Sequence, residues 1–132
     1  MKLMPVTLNL IVIVSCFCSY SFNSQEKFTI NSKYKTWIST IKEENELKVT
    51  ANFRNNTEVD LLVSYSMISN KSGRDGNSLT TQKGNIKMGK FRSTMLSRSS
   101  INFVKNDRYN FILTVYKNNE IIGKDSVEFY PN

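Results

Sequence analysis

One stretch decides the fold of this chain: Leu61-Leu-Val-Ser-Tyr-Ser-Met-Ile68, followed by Ser69-Asn-Lys-Ser-Gly-Arg-Asp-Gly-Asn-Ser78. In its first part, apolar or aromatic side chains recur at every second residue, which is the period of a β-strand that buries one face. Its second part is rich in Gly, Asn and Ser, which favour turns. Two short arms follow, the Thr- and Gln-rich Leu79-Thr-Thr-Gln82 and the Lys-rich run from Lys83 to Phe91. We therefore expect a strand, a polar turn over 69–78 and a return segment.

The same alternation recurs on both sides of this stretch. The residues expected on buried strand faces are Leu47, Val49, Ala51 and Phe53, then Leu61, Val63, Tyr65 and Met67, then Tyr109, Phe111, Leu113 and Val115. Further strands are expected over 35–41, 93–96, 99–104 and 120–129, the last with Ile121, Val127 and Phe129 towards the core. No segment has helical periodicity, and turn signals recur roughly every eight to twelve residues. The predicted fold class is all-β, an immunoglobulin-like antiparallel β-sandwich of about seven strands.

Three local features refine this prediction. Asn118-Asn119 is expected to form a two-residue hairpin turn, since asparagine tolerates the left-handed backbone that such turns need. Gly123 indicates a bulge or a close approach within the last strand. Asp107-Arg-Tyr109 fits a tyrosine corner, in which a tyrosine at the start of the penultimate strand bonds back to nearby backbone. The alternative for Tyr109 is an ordinary inward-facing aromatic.

The N-terminal residues 1–21 have the pattern of a secretory signal peptide. Lys2 precedes the apolar run from Leu8 to Val14, which is too short to span a bilayer. Residues 22–34 then form a leader, and 35–132 form the sandwich domain. Cleavage after Ser21 competes with lipidation of Cys16, which follows a sequence similar to a bacterial lipoprotein box. We predict secretion to the periplasm without a membrane span, with a lipid anchor at Cys16 as the alternative.

Several kinds of chemistry are excluded by composition. The chain has no histidine, the commonest general base and metal ligand. Cleavage after Ser21 would also leave no cysteine for thiol chemistry. The glycines do not follow a phosphate-binding spacing, and the acidic residues fall mostly in predicted turns, where carboxylates are usually solvated. We therefore expect no enzyme, no metal site and no cofactor, but a binding or structural module.

Positive charge is concentrated between residues 71 and 98. The chain holds 18 basic and 11 acidic residues, and loss of Lys2 with the signal peptide would lower the net charge from +7 to +6. The stretch 71–98 has an excess of six positive charges, as large as that of the whole mature chain. Alternation would place Lys83 and Lys87 on one face, and Lys90 and Arg92 likewise. The candidate binding residues are Lys71, Arg74, Lys83, Lys87, Lys90 and Arg92, which could attract an acidic partner or could only protect edge strands.

The polar segment from Ser78 to Gln82 offers a second means of binding. An extended strand of this kind can pair with another chain through its backbone. Nearby lysines would discourage stacking of like copies.

A family resemblance is carried by the order of Tyr65, Lys71-Ser-Gly73, Gly76-Asn-Ser78, Gln82-Lys-Gly84 and Tyr109-Asn-Phe-Ile-Leu-Thr-Val115. This order resembles the curli assembly chaperones, specifically the CsgH-type group related to CsgC, over most of the chain from Leu47 to Phe129. The resemblance implies a periplasmic immunoglobulin-like protein that binds curli-type subunits and inhibits their premature conversion to amyloid. It adds Gln82 and Gly84 as residues of the motif, with a binding or a structural role. It implies no metal and no nucleotide.

The expected partner is thus an acidic or aggregation-prone polypeptide of the curli-subunit type, bound by a monomer that does not bind nucleic acid. Two other functions remain open from the sequence. One is a surface-attached immunoglobulin-like adhesion or carbohydrate-binding module, favoured if Cys16 is lipidated. The other is a structural subunit of an envelope complex or fibre.

Overall fold

Seven β-strands make up residues 33–132, the part of the chain that the computed structural model describes. They are β1 (Tyr34–Glu43), β2 (Glu46–Asn55), β3 (Leu61–Gly73), β4 (Gly76–Met88), β5 (Ser93–Asn102), β6 (Arg108–Lys117) and β7 (Glu120–Phe129). The predicted signal peptide, Cys16 and the leader up to residue 32 lie outside the described residues. Tyr34, which the sequence assigned to the leader, already belongs to β1, and its ring stacks on Phe53 with 5.9 Å between centroids.

The strands form two antiparallel sheets packed face to face. One sheet has the order β1-β2-β5, and the other has the order β4-β3-β6-β7. This is an immunoglobulin-like β-sandwich in which the fourth strand joins the sheet of β3, β6 and β7. The predicted fold class is therefore confirmed.

The buried faces predicted from period-two alternation are also confirmed. The core between the sheets contains Leu47, Val49, Ala51, Phe53, Leu61, Val63, Met67, Tyr109, Phe111, Leu113 and Val115, with Tyr65 packed against it. Phe53 and Leu113 have no accessible surface, and Phe111 is 1% exposed. Burial of apolar surface of this kind contributes roughly 25 cal/mol per Å² and is the main source of stability in such a sandwich.

The prediction of a long polar turn over 69–78 is wrong. β3 and β4 continue through this stretch, and only Arg74 and Asp75 separate the closing pair Gly73–Gly76. Gly76 has a φ of 118°, which glycine adopts without steric cost. The Ser- and Asn-rich residues of β3 adopt strand geometry because β3 is paired on both sides, with β4 and with β6. Pairing with two neighbours overrides a weak local preference for turns.

In the last two strands, one predicted turn is confirmed and one predicted core residue is wrong. Asn118 and Asn119 form the two-residue turn, with φ values of 50° and 66°. A register shift next to Val115 leaves Ile122 as an extra residue in β7. Since a one-residue shift reverses the faces of a strand, Ile121 is 60% exposed and Ile122 packs against the core instead. Val127 and Phe129 pack against the core as predicted.

The prediction that Lys90 and Arg92 share one face of a strand is wrong. Lys90 and Arg92 do not alternate along a strand, because β4 ends at Met88 and both residues lie in the loop before β5. The two strand segments predicted after this loop form one strand, β5, which carries a bulge at Leu96 opposite the junction of Ala51 and Asn52.

The β5–β6 connection contains the predicted tyrosine corner. The hydroxyl of Tyr109 accepts a hydrogen bond from the backbone N–H of Val104 at 2.9 Å. The ring of Tyr109 is 4% exposed and forms part of the core below this loop. Both interpretations of Tyr109 therefore describe one arrangement, an inward aromatic whose hydroxyl also holds the loop.

Candidate functional site

The six basic residues predicted to bind a partner occupy three places in the fold. Lys71 and Arg74 lie at the tip of the β3–β4 hairpin, Lys83 and Lys87 lie on β4, and Lys90 and Arg92 lie in the following loop. The thirteen residues of β4 rise about 3.3 Å each, so Arg74 and Lys90 are roughly 40 Å apart along the strand. Clustering in the sequence thus does not produce a single patch.

The outer face of the four-stranded sheet does bring three lysines together. Lys83 and Lys87 point to solvent from β4. Pairing of Lys83 with Ser66, of Ser66 with Thr114 and of Thr114 with Lys124 places Lys124 of β7 in the same row. Strands lie about 4.8 Å apart, so the backbones of Lys83 and Lys124 are about 14 Å apart, which two long side chains can span. We call Lys83, Lys87 and Lys124 the basic face.

Lys124 was not among the residues predicted from sequence. It lies outside the 71–98 charge cluster, and only the register of three neighbouring strands brings it level with Lys83. The one available signal was the alternation of β7, in which Val127 and Phe129 face the core and Lys124 therefore faces solvent.

The surface between these lysines is mixed in character. The hydroxyl-bearing residues Ser66 and Thr114 lie between Lys83 and Lys124. Leu62, opposite Lys87, is 69% exposed. Ile121 of β7, opposite Tyr116 of β6, is 60% exposed. Cations beside exposed aliphatic groups suit a polypeptide better than a small anion, because the apolar groups gain from burial under an extended partner.

No carboxylate within residues 33–132 forms an ion pair with the basic face. Within residues 33–132 the ion pairs shorter than 4 Å are Lys48–Glu43 and Lys71–Asp107, neither of which involves the basic face. On the opposite sheet, Lys48 Nζ lies 2.9 Å from Glu43 Oε1. That hydrogen bond and the negative charge of Glu43 raise the pKa of Lys48 above its usual value. The outer face of the three-stranded sheet is thus partly neutralised, whereas the basic face is not.

Lys71 has a different environment from the other predicted residues. Its Nζ lies 3.5 Å from Oδ2 of Asp107, which is 7% exposed. The Asp107 carboxylate sits directly over Gly73, where an added Cβ would overlap its Oδ1. Lys71 therefore compensates a nearly buried acid in the β5–β6 loop, and Arg74 is the exposed cation of this hairpin tip.

The two motif residues, Gln82 and Gly84, face the interior of the sandwich. Gly84 lies opposite Tyr65, and a Cβ on Gly84 would be 2.8 Å from the Tyr65 hydroxyl oxygen. Tyr65 packs over the glycine as a cross-strand cover, so this position has a structural reason to lack a side chain. Gln82 is half-buried opposite Met67.

The outer edge of β4 is the second element of the candidate site. β4 pairs only with β3 and terminates the four-stranded sheet within the described region. A cleft of about 260 Å³ opens between β4 and the end of β5. It is lined by Ser69, Asn70, Lys71, Ser78, Thr80, Ile101, Asn102, Tyr109 and Phe111. Its lining combines apolar side chains with hydroxyl and amide groups and with Lys71.

Residues 33–132 contain neither a metal-binding cluster nor a membrane-spanning helix. No group of three or more His, Cys, Asp or Glu side chains in this range could hold a metal ion. None of the described residues forms a helix that is long and apolar enough to cross a membrane.

Comparison with known proteins gives matches in structure alone. No protein-family model matches the chain, and no curated protein sequence matches it. The curli protein CsgC of E. coli matches with a TM-score of 0.59 and 17% identity, covering 74% of this chain and 99% of that chain. CsgH of R. palustris matches with a TM-score of 0.57 and 15% identity, covering 72% of this chain and 91% of that chain.

A β-glucuronidase of Bacteroides uniformis also matches, with a TM-score of 0.53 and 13% identity, but the match covers only 13% of that enzyme. The similarity to the glucuronidase therefore concerns a small part of a much longer chain. CsgC and CsgH, in contrast, are matched over nearly their whole length. The chain thus has the fold of the curli protein CsgC and of CsgH over most of its length, at low sequence identity.

Proposed function

We propose that this protein is a chaperone-like component of curli biogenesis that binds curli-type subunits in the periplasm and inhibits premature amyloid formation without catalysis. The observation that carries the proposal is the uncompensated basic face of Lys83, Lys87 and Lys124 on a fold shared with CsgC and CsgH. The motif resemblance from Tyr65 to Val115 supports the same client class.

The proposed mechanism is electrostatic capture followed by steric protection. Positive side chains attract an acidic or aggregation-prone polypeptide and hold it transiently against the sheet. The exposed aliphatic groups beside them, Leu62 and Ile121, cover part of its apolar surface. Lysines on an open sheet also disfavour stacking of like copies, so the chaperone does not itself polymerise with its client.

An aggregation assay with a purified curli-like subunit tests the proposal. The wild-type protein, at a ratio well below one per subunit, is expected to lengthen the lag before thioflavin fluorescence rises. The variant Lys83→Glu/Lys87→Glu/Lys124→Glu is expected to lose most of this delay. Raising the salt from about 0.1 M to about 1 M shortens the Debye length from about 10 Å to about 3 Å and should weaken the delay as well.

The matched control reverses three charges on the other sheet, Lys35→Glu/Arg54→Glu/Arg98→Glu. These residues are on the outer face of the three-stranded sheet, so the control changes the net charge equally and is expected to retain the delay. Equal loss in both variants would show that only net charge matters. The absence of any delay with the wild-type protein would refute the chaperone function.

A further inference from the structure

The first half of β4, Gly76-Asn-Ser-Leu-Thr-Thr-Gln82, is an edge segment without the usual protection. Edge strands are normally protected by lysines, prolines, bulges or covering elements. This segment has no charged residue and no proline, and its pairing with β3 is regular without a bulge. Leu79 is 63% exposed. We call Gly76–Gln82 the open edge, in contrast to the second half of β4, which carries Lys83 and Lys87.

The backbone groups of the open edge that face outward can be identified from the ladder. In an antiparallel pair, residues that exchange both hydrogen bonds alternate with residues that do not. The two-residue turn at Arg74-Asp75 closes on Gly73 and Gly76, so the even-numbered residues of β4 bond to β3. The alternation that starts at the Asn118-Asn119 turn agrees with this assignment. Followed through β6, it makes the even-numbered residues of β3 bond to β6 and the odd-numbered ones bond to β4. The N–H and C=O groups of Asn77, Leu79 and Thr81 therefore point away from the sheet.

The cleft lies directly beside these groups. Ser78 and Thr80 of the open edge form part of its rim, and Ile101, Tyr109 and Phe111 supply its apolar surface. All residues from Gly76 to Thr81 are exposed. A further strand added to β4 would project every second side chain towards this cleft, whose volume of about 260 Å³ accommodates an aliphatic side chain.

Charge at the two ends of the open edge defines the partner further. Arg74 precedes it and Lys83 with Lys87 follow it. Of the two acids at this tip, Asp107 is paired with Lys71, and Asp75 lies next to Arg74. The segment between is neutral. A strand complementary to this arrangement is uncharged and β-prone in its middle and carries acidic residues at its ends.

The other sheet edges of the described sandwich, residues 33–132, offer no equivalent site. β7 packs against β1, where Asp125 accepts a hydrogen bond from the backbone N–H of Ile38. β5 carries the bulge at Leu96 and the exposed charge of Arg98. Both features obstruct regular pairing with another strand.

We propose that the open edge of β4 and the adjacent cleft form a strand-acceptor site, which pairs with an extended, uncharged and acid-flanked segment of the client subunit. This inference rests on the proposed function for the identity of the client. The basic face captures the client, and the open edge caps the strand that would otherwise template amyloid growth.

A capped nine-residue peptide, Asp-Thr-Val-Thr-Val-Thr-Val-Thr-Asp, is a direct probe of this site. The measurement is amide hydrogen exchange followed by NMR on the full protein, with and without the peptide. Binding is expected to slow exchange at Asn77, Leu79 and Thr81 but not at the even-numbered residues, which already bond to β3. The same peptide with proline at its central position cannot pair continuously and is expected to leave exchange unchanged.

Two matched pairs of variants locate the site. Thr80→Lys places a charge at the cleft rim, where an added strand would bury it, and is expected to weaken peptide affinity by at least about tenfold. Asn85→Lys adds the same charge on the outer face beyond the open edge and should leave affinity unchanged. Thr81→Pro removes an outward donor inside the open edge, and Asn85→Pro removes one outside it, so only the first should lose binding. If the proline variants do not fold, the lysine pair decides alone.

The outcomes separate this inference from the function it rests on. If the peptide does not protect the odd-numbered amides while the wild-type protein still delays aggregation, the strand-acceptor site is refuted and the chaperone proposal stands. If the peptide binds as expected but aggregation is not delayed, the site stands and the chaperone proposal fails. Concentration-dependent protection of these amides without peptide, together with a dimer in sedimentation, would show that a second copy of this chain occupies the edge and would overturn the inference.

Discussion

The β1–β7 flank of the sandwich is closed, whereas the β4–β5 flank is open. On the closed flank, Gly123 of β7 lies against Thr36 of β1, and Asp125 bonds to the backbone N–H of Ile38 at 2.9 Å. On the open flank, the loop over 89–92 joins β4 and β5 at one end. Towards the other end a cleft separates the two strands.

The comparison shows that an unpaired edge is not in itself a functional feature of this fold. Both flanks bring together one edge strand from each sheet. On the closed flank, Gly123 lets β7 approach β1 so closely that no space is left for a partner strand. The carboxylate of Asp125 also occupies the backbone N–H of Ile38, which a partner strand would otherwise use. The open flank has no equivalent over Gly76–Gln82. Its accessibility is therefore specific to this part of the molecule, and the two flanks can be tested against each other.

Among changes to the closed flank, the largest effect is expected from forcing it apart with Gly123→Ala. The added Cβ would overlap the hydroxyl oxygen of Thr36 and lie 2.8 Å from its Cβ. Overpacking of this kind typically costs about 1–3 kcal/mol, and we expect a loss of about 2 kcal/mol in the free energy of unfolding, measured with urea.

The double variant Gly123→Ala/Thr36→Ala provides the control, because it removes the overlapping hydroxyl. We expect it to recover part of the loss relative to the sum of the two single variants. Full additivity would mean that Gly123 is not needed for the approach of β1 and β7.

A smaller effect is expected from Asp125→Ala. This change removes the acceptor for the backbone N–H groups of Ile38 and Ser126, each at 2.9 Å. An unsatisfied, part-buried donor costs about 1–3 kcal/mol, so we expect a stability loss of about 1–2 kcal/mol and faster hydrogen exchange at Ile38.

Asp125→Asn retains a side-chain oxygen and should lose less stability than the alanine variant. Asp125 also lies at the β1 edge, where it accepts a hydrogen bond from the N–H of Ile38. If Asp125 protects this edge, the acid-flanked peptide probe should affect β1 amides only in the alanine variant. Peptide protection of β1 in the wild-type protein would contradict the distinction between the two flanks.

Period-two alternation was sufficient to predict most of the fold. Residues such as Val49, Met67 and Leu113 occupy the predicted buried faces because the side-chain period in a strand follows directly from backbone geometry. Alternation failed at Ile121, because the bulge at Ile122 is set by pairing with β6; Gly123 indicated a bulge or a close approach in this strand but not the position of the extra residue. The turn over 69–78 was predicted to be longer than it is, because amino-acid composition reflects local conformational preference. Composition does not show that β3 pairs with a strand on each side.

The candidate site was less predictable because its chemistry depends on residues distant in sequence. The charge count found Lys83 and Lys87 but not Lys124, which enters through strand register. It also included Lys71, whose charge is offset by Asp107 from another loop. The segment from Ser78 to Gln82 was recognised as polar and extended, but whether it lay at an edge required the sheet order.

The smallest expected effect concerns the floor of the open flank. Tyr109 lines the cleft with its ring, and its hydroxyl holds the β5–β6 loop through the N–H of Val104. Tyr109→Phe keeps the ring and deletes the hydroxyl, so one hydrogen bond is lost, at a cost of about 0.5–1.5 kcal/mol in unfolding free energy. The measurement is urea unfolding of the variant beside the wild-type protein, combined with peptide binding.

Peptide affinity should remain unchanged in Tyr109→Phe, because the apolar surface offered to an inserted side chain is the same. Phe111→Ala is the contrasting variant, since it removes a 1%-exposed core ring that also lines the cleft; it would therefore alter stability and binding together. If Tyr109→Phe lost affinity while its stability was unaffected, the hydroxyl would have to contact the bound strand itself. In that case the cleft would recognise a polar side chain, and the apolar character assigned to its occupant would be wrong.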